Sequence, residues 1–281
     1  MCNFRSIRKV LQYLKFLIFL LIENTFCLFS LRKKSFAGEI VLITGSANGI
    51  GKQVALKLAP LGVTLVLWDI DDEGNKETSR LAQQKGAGRV FVYHCDCSNR
   101  QDVYEQADKV RKEVGDVTIL INNAGVLTGK KFCDLTDEDF EKTFRINFFS
   151  QVWTCKAFLP AMVACNRGHL VSTASGGGLI GSCRMSDQTF PLALTMCWLI
   201  YTFIMCTYFI KRKFFLLYRK PCLFPVYDPE YAASRIVDAI KKEKFYLIMP
   251  PAVYALVTLF LESSIKFPES MEEAFGQKKK D

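Results

Sequence analysis

Hydrophobic positions fall into three textures along this chain. From Val10 to Leu31 they form a nearly continuous apolar run, matching the ~20 residues that a membrane-spanning helix requires. From Ile40 to Thr173 short apolar runs alternate with amphipathic stretches, the signature of β-α-β units and a parallel sheet. The short runs predict strands at Ile40–Thr44, Thr64–Trp68, Val90–His94, Thr118–Ile121 and His169–Thr173, and one long helical pattern extends from Thr136 to about Cys165. Leu192–Ile210 then runs for 19 residues without a charge and stops at Lys211-Arg212-Lys213. It lacks the polar face of a helix that covers a sheet, which favours a membrane role over a buried core helix. Ala252–Leu261 is too short to span and reads as core or interface.

Charge sharpens that division. The formal net charge of +9 is carried by the ends: residues 1–34 hold seven basic residues against one acidic, 35–187 hold seventeen against eighteen, and 188–281 hold thirteen against nine. A nucleic-acid groove would need its positive charge on the folded middle, so the pattern points to a membrane and away from DNA or RNA. Arg5, Arg8 and Lys9 precede the first run and Arg32, Lys33 and Lys34 follow it. Glu23 inside it would cost about 2–3 kcal/mol at a bilayer centre, so a shallow interfacial helix or hairpin stays open beside a span. No small-residue cleavage chemistry surrounds Phe26–Ser30, which argues against a cleaved signal peptide. The eleven cysteines show neither zinc spacing nor a disulfide framework and are expected to be reduced, small buried hydrophobes.

After the first strand comes Thr44-Gly45-Ser46-Ala47-Asn48-Gly49-Ile50-Gly51, opening a helix that ends near Pro60. A pyrophosphate needs backbone amides close by and a helix N-terminus pointing at it, and glycines at 45, 49 and 51 permit both. Asp69 ends the next strand eighteen residues beyond Gly51, where a carboxylate accepts both ribose hydroxyls. An acid there repels a 2′-phosphate, so NAD is the expected cofactor and NADP the less favoured one. Ser46, Asn48 and Ile50 complete the candidate turn.

These residues, with Asp96 after strand three and Asn122-Asn123-Ala124-Gly125 after strand four, resemble the short-chain dehydrogenase/reductase family. The text around them, INNAGVLTGKKF, FRINFFSQVWTCKAFLPAM and GHLVSTAS, is similar to the membrane-bound retinol and 17β-hydroxysteroid dehydrogenase subgroup. The resemblance covers residues 1–187 and resumes near 224–250, where DPEYAASRIVDAI looks like the family's later helix leading into a last strand at Phe245–Met249. It implies a Rossmann-like, doubly wound α/β fold with an N-terminal membrane anchor. It further implies Asp96, Asn123 and Gly125 as cofactor contacts, and an enzyme of the endoplasmic reticulum or lipid droplet, facing the cytosol, that oxidises a hydrophobic alcohol such as retinol or a steroid.

The same resemblance exposes a failure at the catalytic centre. The family uses a Tyr base lowered by a Lys four residues on, a Ser that holds the substrate oxygen and an Asn that supports a bridging water. Ser175 and Asn147 fit the last two. Tyr and Lys are expected thirteen and seventeen residues after the Ser, and those positions hold Gln188 and Leu192. None of the ten tyrosines has a lysine four residues on. Tyr231 lies 56 residues past Ser175 within the later helix, and Tyr208 with Arg212 lies in an apolar run and offers a guanidinium for an ammonium.

The chain thus divides into an anchor (1–34), a dinucleotide-binding half (35–187), a divergent apolar segment with a candidate second membrane helix (188–223) and a family-like C-terminal helix, strand and basic tail (224–281). Residues 188–223 replace the catalytic helix and the strand after it, which leaves open whether the sheet is complete after strand five. If both long apolar runs crossed a membrane, a strand near 245–249 would sit on the wrong side to join the sheet. The tail Lys278-Lys279-Lys280-Asp281 resembles a dilysine retrieval signal and reads equally well as a solvated charged tail. Impaired dehydrogenase activity is the leading expectation. An active NAD-dependent enzyme with another base, or a non-catalytic NAD-binding or partner-binding scaffold that pairs with an intact relative, are the alternatives.

Overall fold

A computed structural model describes residues 34–130, 132–175, 215–219, 228–243 and 246–249. The strands are β1 (Ile40–Thr44), β2 (Thr64–Asp69), β3 (Arg89–His94), β4 (Ile119–Asn122), β5 (His169–Ser175), β6 (Phe215–Arg219) and β7 (Tyr246–Met249). They form one sheet in the order β3-β2-β1-β4-β5-β6-β7, every pairing parallel. The first expected strand appears with its bounds unchanged and the other four with ends shifted by one or two residues. The expected last strand starts one residue later.

Sheet completeness corrects the open expectation. Phe215–Arg219, inside the divergent segment, pairs with Val171–Ser175 on one side and Tyr246–Met249 on the other. FLLYR supplies apolar and aromatic residue types that favour a strand. Both ends of the segment between β5 and β6 are therefore fixed in one sheet. Among the described residues no helix is long and apolar enough to cross a membrane, and both long apolar runs lie outside them.

Helices α1 (Gly49–Leu58), α2 (Asp72–Gln84), α3 (Arg100–Glu113), α4 (Asp137–Phe144), α5 (Ser150–Ala164) and α6 (Pro229–Lys241) complete the layers. Val54, Leu58, Ala82, Ala233, Ile236 and Ile240 of α1, α2 and α6 pack on one sheet face with Val41, Ile43, Leu65 and Leu67. Val103, Val110, Phe158 and Met162 of α3 and α5 pack on the other with Leu42, Val66, Trp68 and Leu120. Alternate residues of one strand thus feed opposite cores. The long helical pattern 136–165 is α4, a π-helical segment Arg145–Phe149 and α5 in succession, started by a Thr136–Asp139 capping box. Cys95, Cys97 and Cys155 are buried free thiols as expected, whereas Cys133 and Cys165 are exposed. The Cys97 thiol and burial together push the Cys95 thiol up, so it stays an inert core group.

At the foot of the sheet Glu39 is 5 % exposed and meets Lys34 at 3.7 Å and Arg167 at 3.2 Å. Burial works to raise its carboxyl, but Thr118, Lys34 and Arg167 outweigh that and hold it below the ordinary value. A depressed carboxylate contributes stability that is present above its unfolded pKa and lost as pH falls through the folded one. Glu39→Gln is therefore expected to lower Tm at neutral pH and to shrink the acid-side fall in stability, read by thermal melts from neutrality down to about pH 3, below the unfolded value. An unchanged acid limb would mean that this cluster contributes nothing.

Candidate functional site

In a doubly wound sheet the strands on either side of the point where chain order reverses splay apart at their C-terminal ends and leave a crevice. Here that point lies between β1 and β4. Thr44 ends β1 there, and its hydroxyl accepts the N–H groups of Asn123 and Ala124, each at 3.0 Å. The Asn123 amide donates to the carbonyls of Thr44 (3.1 Å) and Gly45 (3.0 Å). The two loops are thereby locked together, and Asn123 spends its amide on the fold while its position sets the crevice wall.

The turn leaves no room for a side chain at Gly45 or Gly51. Gly45 has φ +68°, and a Cβ there would lie 2.9 Å from the Ala124 Cα. A Cβ on Gly51 would lie 2.0 Å from the Gly45 carbonyl oxygen. Asn48 caps α1, accepting the Gly49 N–H at 2.7 Å, and Ile50 packs against the core. Helix α1 thus starts directly after the turn that ends β1, and a helix N-terminus there suits a pyrophosphate.

Ser46 departs from the expected contact. It is fully buried, its N–H donates to Trp68 O at 3.3 Å, and its hydroxyl is bonded to Asn75 Oδ1 at 2.8 Å and Trp68 O at 3.2 Å. Asn75 in turn donates to Leu67 O, and Thr78 donates to Ser46 O at 3.0 Å. Ser46 is a strut that fixes the turn to β2 and α2. Nothing local in the sequence marks Asn75 or Thr78 for this, because they act from a helix about thirty residues away.

Asp69 ends β2 with Oδ2 accepting Ala47 N–H at 2.8 Å and Oδ1 accepting Asp71 N–H at 3.1 Å. Each oxygen retains a lone pair for a ribose hydroxyl. Asp96 follows β3, its Oδ1 accepting Ser98 N–H at 2.8 Å while its own N–H donates to Asp102 at 2.6 Å. Cys95 N–H bonds to Asp69 O, which brings the two acids to one edge.

Asn147 sits in the π-helical segment, 5 % exposed. Its side chain accepts Val126 N–H at 2.8 Å and donates to Val126 O at 3.0 Å, and a Cβ on neighbouring Gly125 would lie 3.3 Å from its Oδ1. Its main-chain carbonyl accepts the Gln151 amide at 3.1 Å. Asn147→Ala is expected to cost about 2 kcal/mol, since two backbone groups lose a partner. Chemical denaturation checks this; an unchanged midpoint would leave Asn147 without a structural role. Ser175 is the last residue of β5, paired with Arg219, at the same sheet edge. Gln188 and Leu192 lie outside the described residues.

The arrangement fits a nicotinamide dinucleotide: a cradle that a Cβ at Gly45 or Gly51 would fill, a helix N-terminus at its mouth, and a carboxylate that ends the next strand. Among the described residues no cluster suits a metal ion.

The comparisons agree with that geometry. A sequence profile described as short chain dehydrogenase matches residues 39–187. Epidermal retinol dehydrogenase 2 of Mus musculus is 45 % identical, covering 99 % of this chain and 99 % of the relative. Estradiol 17-beta-dehydrogenase 11 of Homo sapiens is 38 % identical over 81 % of this chain and 80 % of its own. A short chain dehydrogenase/reductase from Burkholderia phymatum, solved in complex with NAD, superposes with a TM-score of 0.74 at 23 % identity, covering 82 % of this chain and 95 % of its own.

Proposed function

The chain belongs to the short-chain dehydrogenase family, and on that premise we propose that it is a membrane-associated, NAD-binding relative of the retinol and 17β-hydroxysteroid dehydrogenases whose alcohol oxidation is impaired. The observation that carries the cofactor half is the glycine cradle closed by Thr44 and Asn123. The one that carries the impairment is Gln188 and Leu192 where the family's base and its lysine are expected.

A bound nicotinamide supplies the acceptor for the hydride of an alcohol. The chain's own residues hold it: the first turn of α1 meets the pyrophosphate, Asp69 accepts ribose hydroxyls and disfavours the 2′-phosphate of NADP, and Asp96 borders the adenine. Asn147 ties the loop after β4 in place. What is missing is a group to take the hydroxyl proton as the hydride leaves, a loss worth about 10²–10⁴ in rate. Gln188 carries no titratable group, and Leu192 has none to tune it. The Gln151 amide on the Asn147 carbonyl also competes with a water held there.

The substrate class, a hydrophobic alcohol or ketone such as retinol or a steroid, is supported by the names of the relatives. Membrane association by residues 10–31 is supported by the basic clusters that flank that run. Attachment to the endoplasmic reticulum or lipid droplet with the cofactor domain in the cytosol accords with the lysine-rich tail. The partner-binding reading is favoured by the outer face around α5, where Phe149 is 41 % exposed and stacks on Trp153; co-purification of an intact relative tests it.

The deciding experiment titrates the full chain with NAD by calorimetry and follows NADH formation from retinol and estradiol beside an intact relative. Saturable binding is expected, with turnover at least about 10²-fold below the relative. Turnover at the relative's rate would overturn the impairment; absence of saturable binding would overturn the cofactor site.

A further inference from the structure

We propose that the edge of the sheet where the strands begin is the face this protein lays against an anionic membrane surface, an inference that rests on the anchored reading of residues 1–34. All seven strands are parallel, so their first residues share one edge, together with the loops and helix C-termini that precede them. That edge is basic. Exposed Lys85 follows α2, exposed Arg89 opens β3, exposed Lys112 and half-buried Lys241 lie in the last turns of α3 and α6, and exposed Lys242 follows α6. Among the described residues Lys85, Lys112 and Lys241 have no carboxylate partner, while Lys242 pairs with Asp238 at 2.8 Å. The acids there are fewer: Glu113, which accepts the Tyr93 hydroxyl, exposed Asp116 and half-buried Glu243. The opposite edge is acidic, with Asp71, Asp72, Glu73, Asp137 and Glu138 exposed in loops and first helical turns.

Helix dipoles favour part of this polarity, since acids suit N-termini and bases C-termini. They do not explain where the anchor leaves the domain. Lys34 N–H donates to Lys241 O at 2.9 Å, and the Lys34 ammonium, 6 % exposed, lies beside Glu39 at the foot of β1. The apolar run ends at Leu31. Three residues reach about 11 Å at most, so an anchor lodged in a bilayer brings this edge into the headgroup layer and within about one Debye length of its charge. Unpaired lysines there gain what the protein does not give them, an anionic counter-charge. The cofactor crevice then faces away, one sheet height of about 17 Å from the headgroups, since β1 has five residues.

The test uses the full chain on phosphatidylcholine vesicles, on phosphatidylcholine–phosphatidylserine vesicles and in neutral detergent. Each sample is treated briefly with a water-soluble amine acylating reagent, and each lysine is read by mass spectrometry. Lys85, Lys112 and Lys241 are expected to react about fivefold more slowly on the serine-containing vesicles than in detergent, with high salt restoring the rate. Lys76 and Lys130 at the opposite edge should react equally in all three. Failure to float with phosphatidylcholine would overturn the anchored reading and the orientation with it. Flotation with uniform labelling, or with Lys76 and Lys130 protected instead, would overturn the orientation alone.

Discussion

Gly51→Ala is expected to abolish measurable NAD binding, weakening it by more than about 100-fold, and to destabilise the domain by about 1–3 kcal/mol. The added methyl would stand 2.0 Å from the Gly45 carbonyl oxygen and 2.7 Å from the Asn123 amide. Neither can rotate away. The carbonyl is backbone, and the amide is held by its two bonds to Thr44 and Gly45. Relief to an ordinary contact requires the start of α1 and the turn to part by about 1.4 Å, and an error of about 1 Å already costs about 10² in a positioned site. Gly38→Asn, before β1 and away from the crevice, is the control. Its φ of +76° suits asparagine better than other side chains, and nothing lies within 4 Å of a Cβ there, so fold and binding should persist. Calorimetric titration with thermal melts separates the outcomes. Binding by Gly51→Ala within about threefold of the parent would show that the cradle does not carry the cofactor, whatever the melt shows.

That contrast marks what the sequence discloses and what it withholds. Glycine spacing after a strand and an acid ending the next one are local signals, and Gly45, Gly51 and Asp69 stand together as read. The five strands before residue 176 were legible because each is a short apolar run bounded by turn residues. Ser46 was not legible in the same way: whether its hydroxyl meets a ligand or the core depends on Asn75 and Thr78, which a helix brings from elsewhere. The π-helical segment at Asn147 leaves no trace in hydrophobic periodicity, because five residues shift the repeat too little to see. FLLYR carries no strand signal that sets it apart from the longer apolar run and basic cluster beside it; its identity as β6 comes from pairing with β5 and β7, which is non-local. Position 188 is the reverse case, where sequence alone carries the reading.

Cofactor choice gives the second large effect. In the unaltered chain NAD should bind at least about 10²-fold more tightly than NADP, since a phosphate brought beside the Asp69 carboxylate meets a like-charge repulsion of a few kcal/mol at the effective dielectric of a protein surface. Asp69→Asn should weaken NAD about tenfold and bring the two cofactors to within a few-fold. The substituted amide can still accept Ala47 N–H through its oxygen, but its NH₂ then faces Asp71 N–H, donor against donor, where Oδ1 accepted before. The ribose also loses an anionic acceptor, and hydrogen bonds to charged groups are the stronger kind. Two consequences separate charge from geometry. Raising salt should narrow the NAD preference of the parent and leave that of Asp69→Asn unchanged, because only the parent's discrimination is Coulombic. Asp69→Ser, which keeps an acceptor but withdraws it from the turn, should weaken both cofactors further by freeing Ala47 and Asp71. If the parent binds NADP as tightly as NAD, or if Asp69→Asn preserves the ratio, then Asp69 serves only to brace the turn, and selection between the cofactors must lie elsewhere along the crevice.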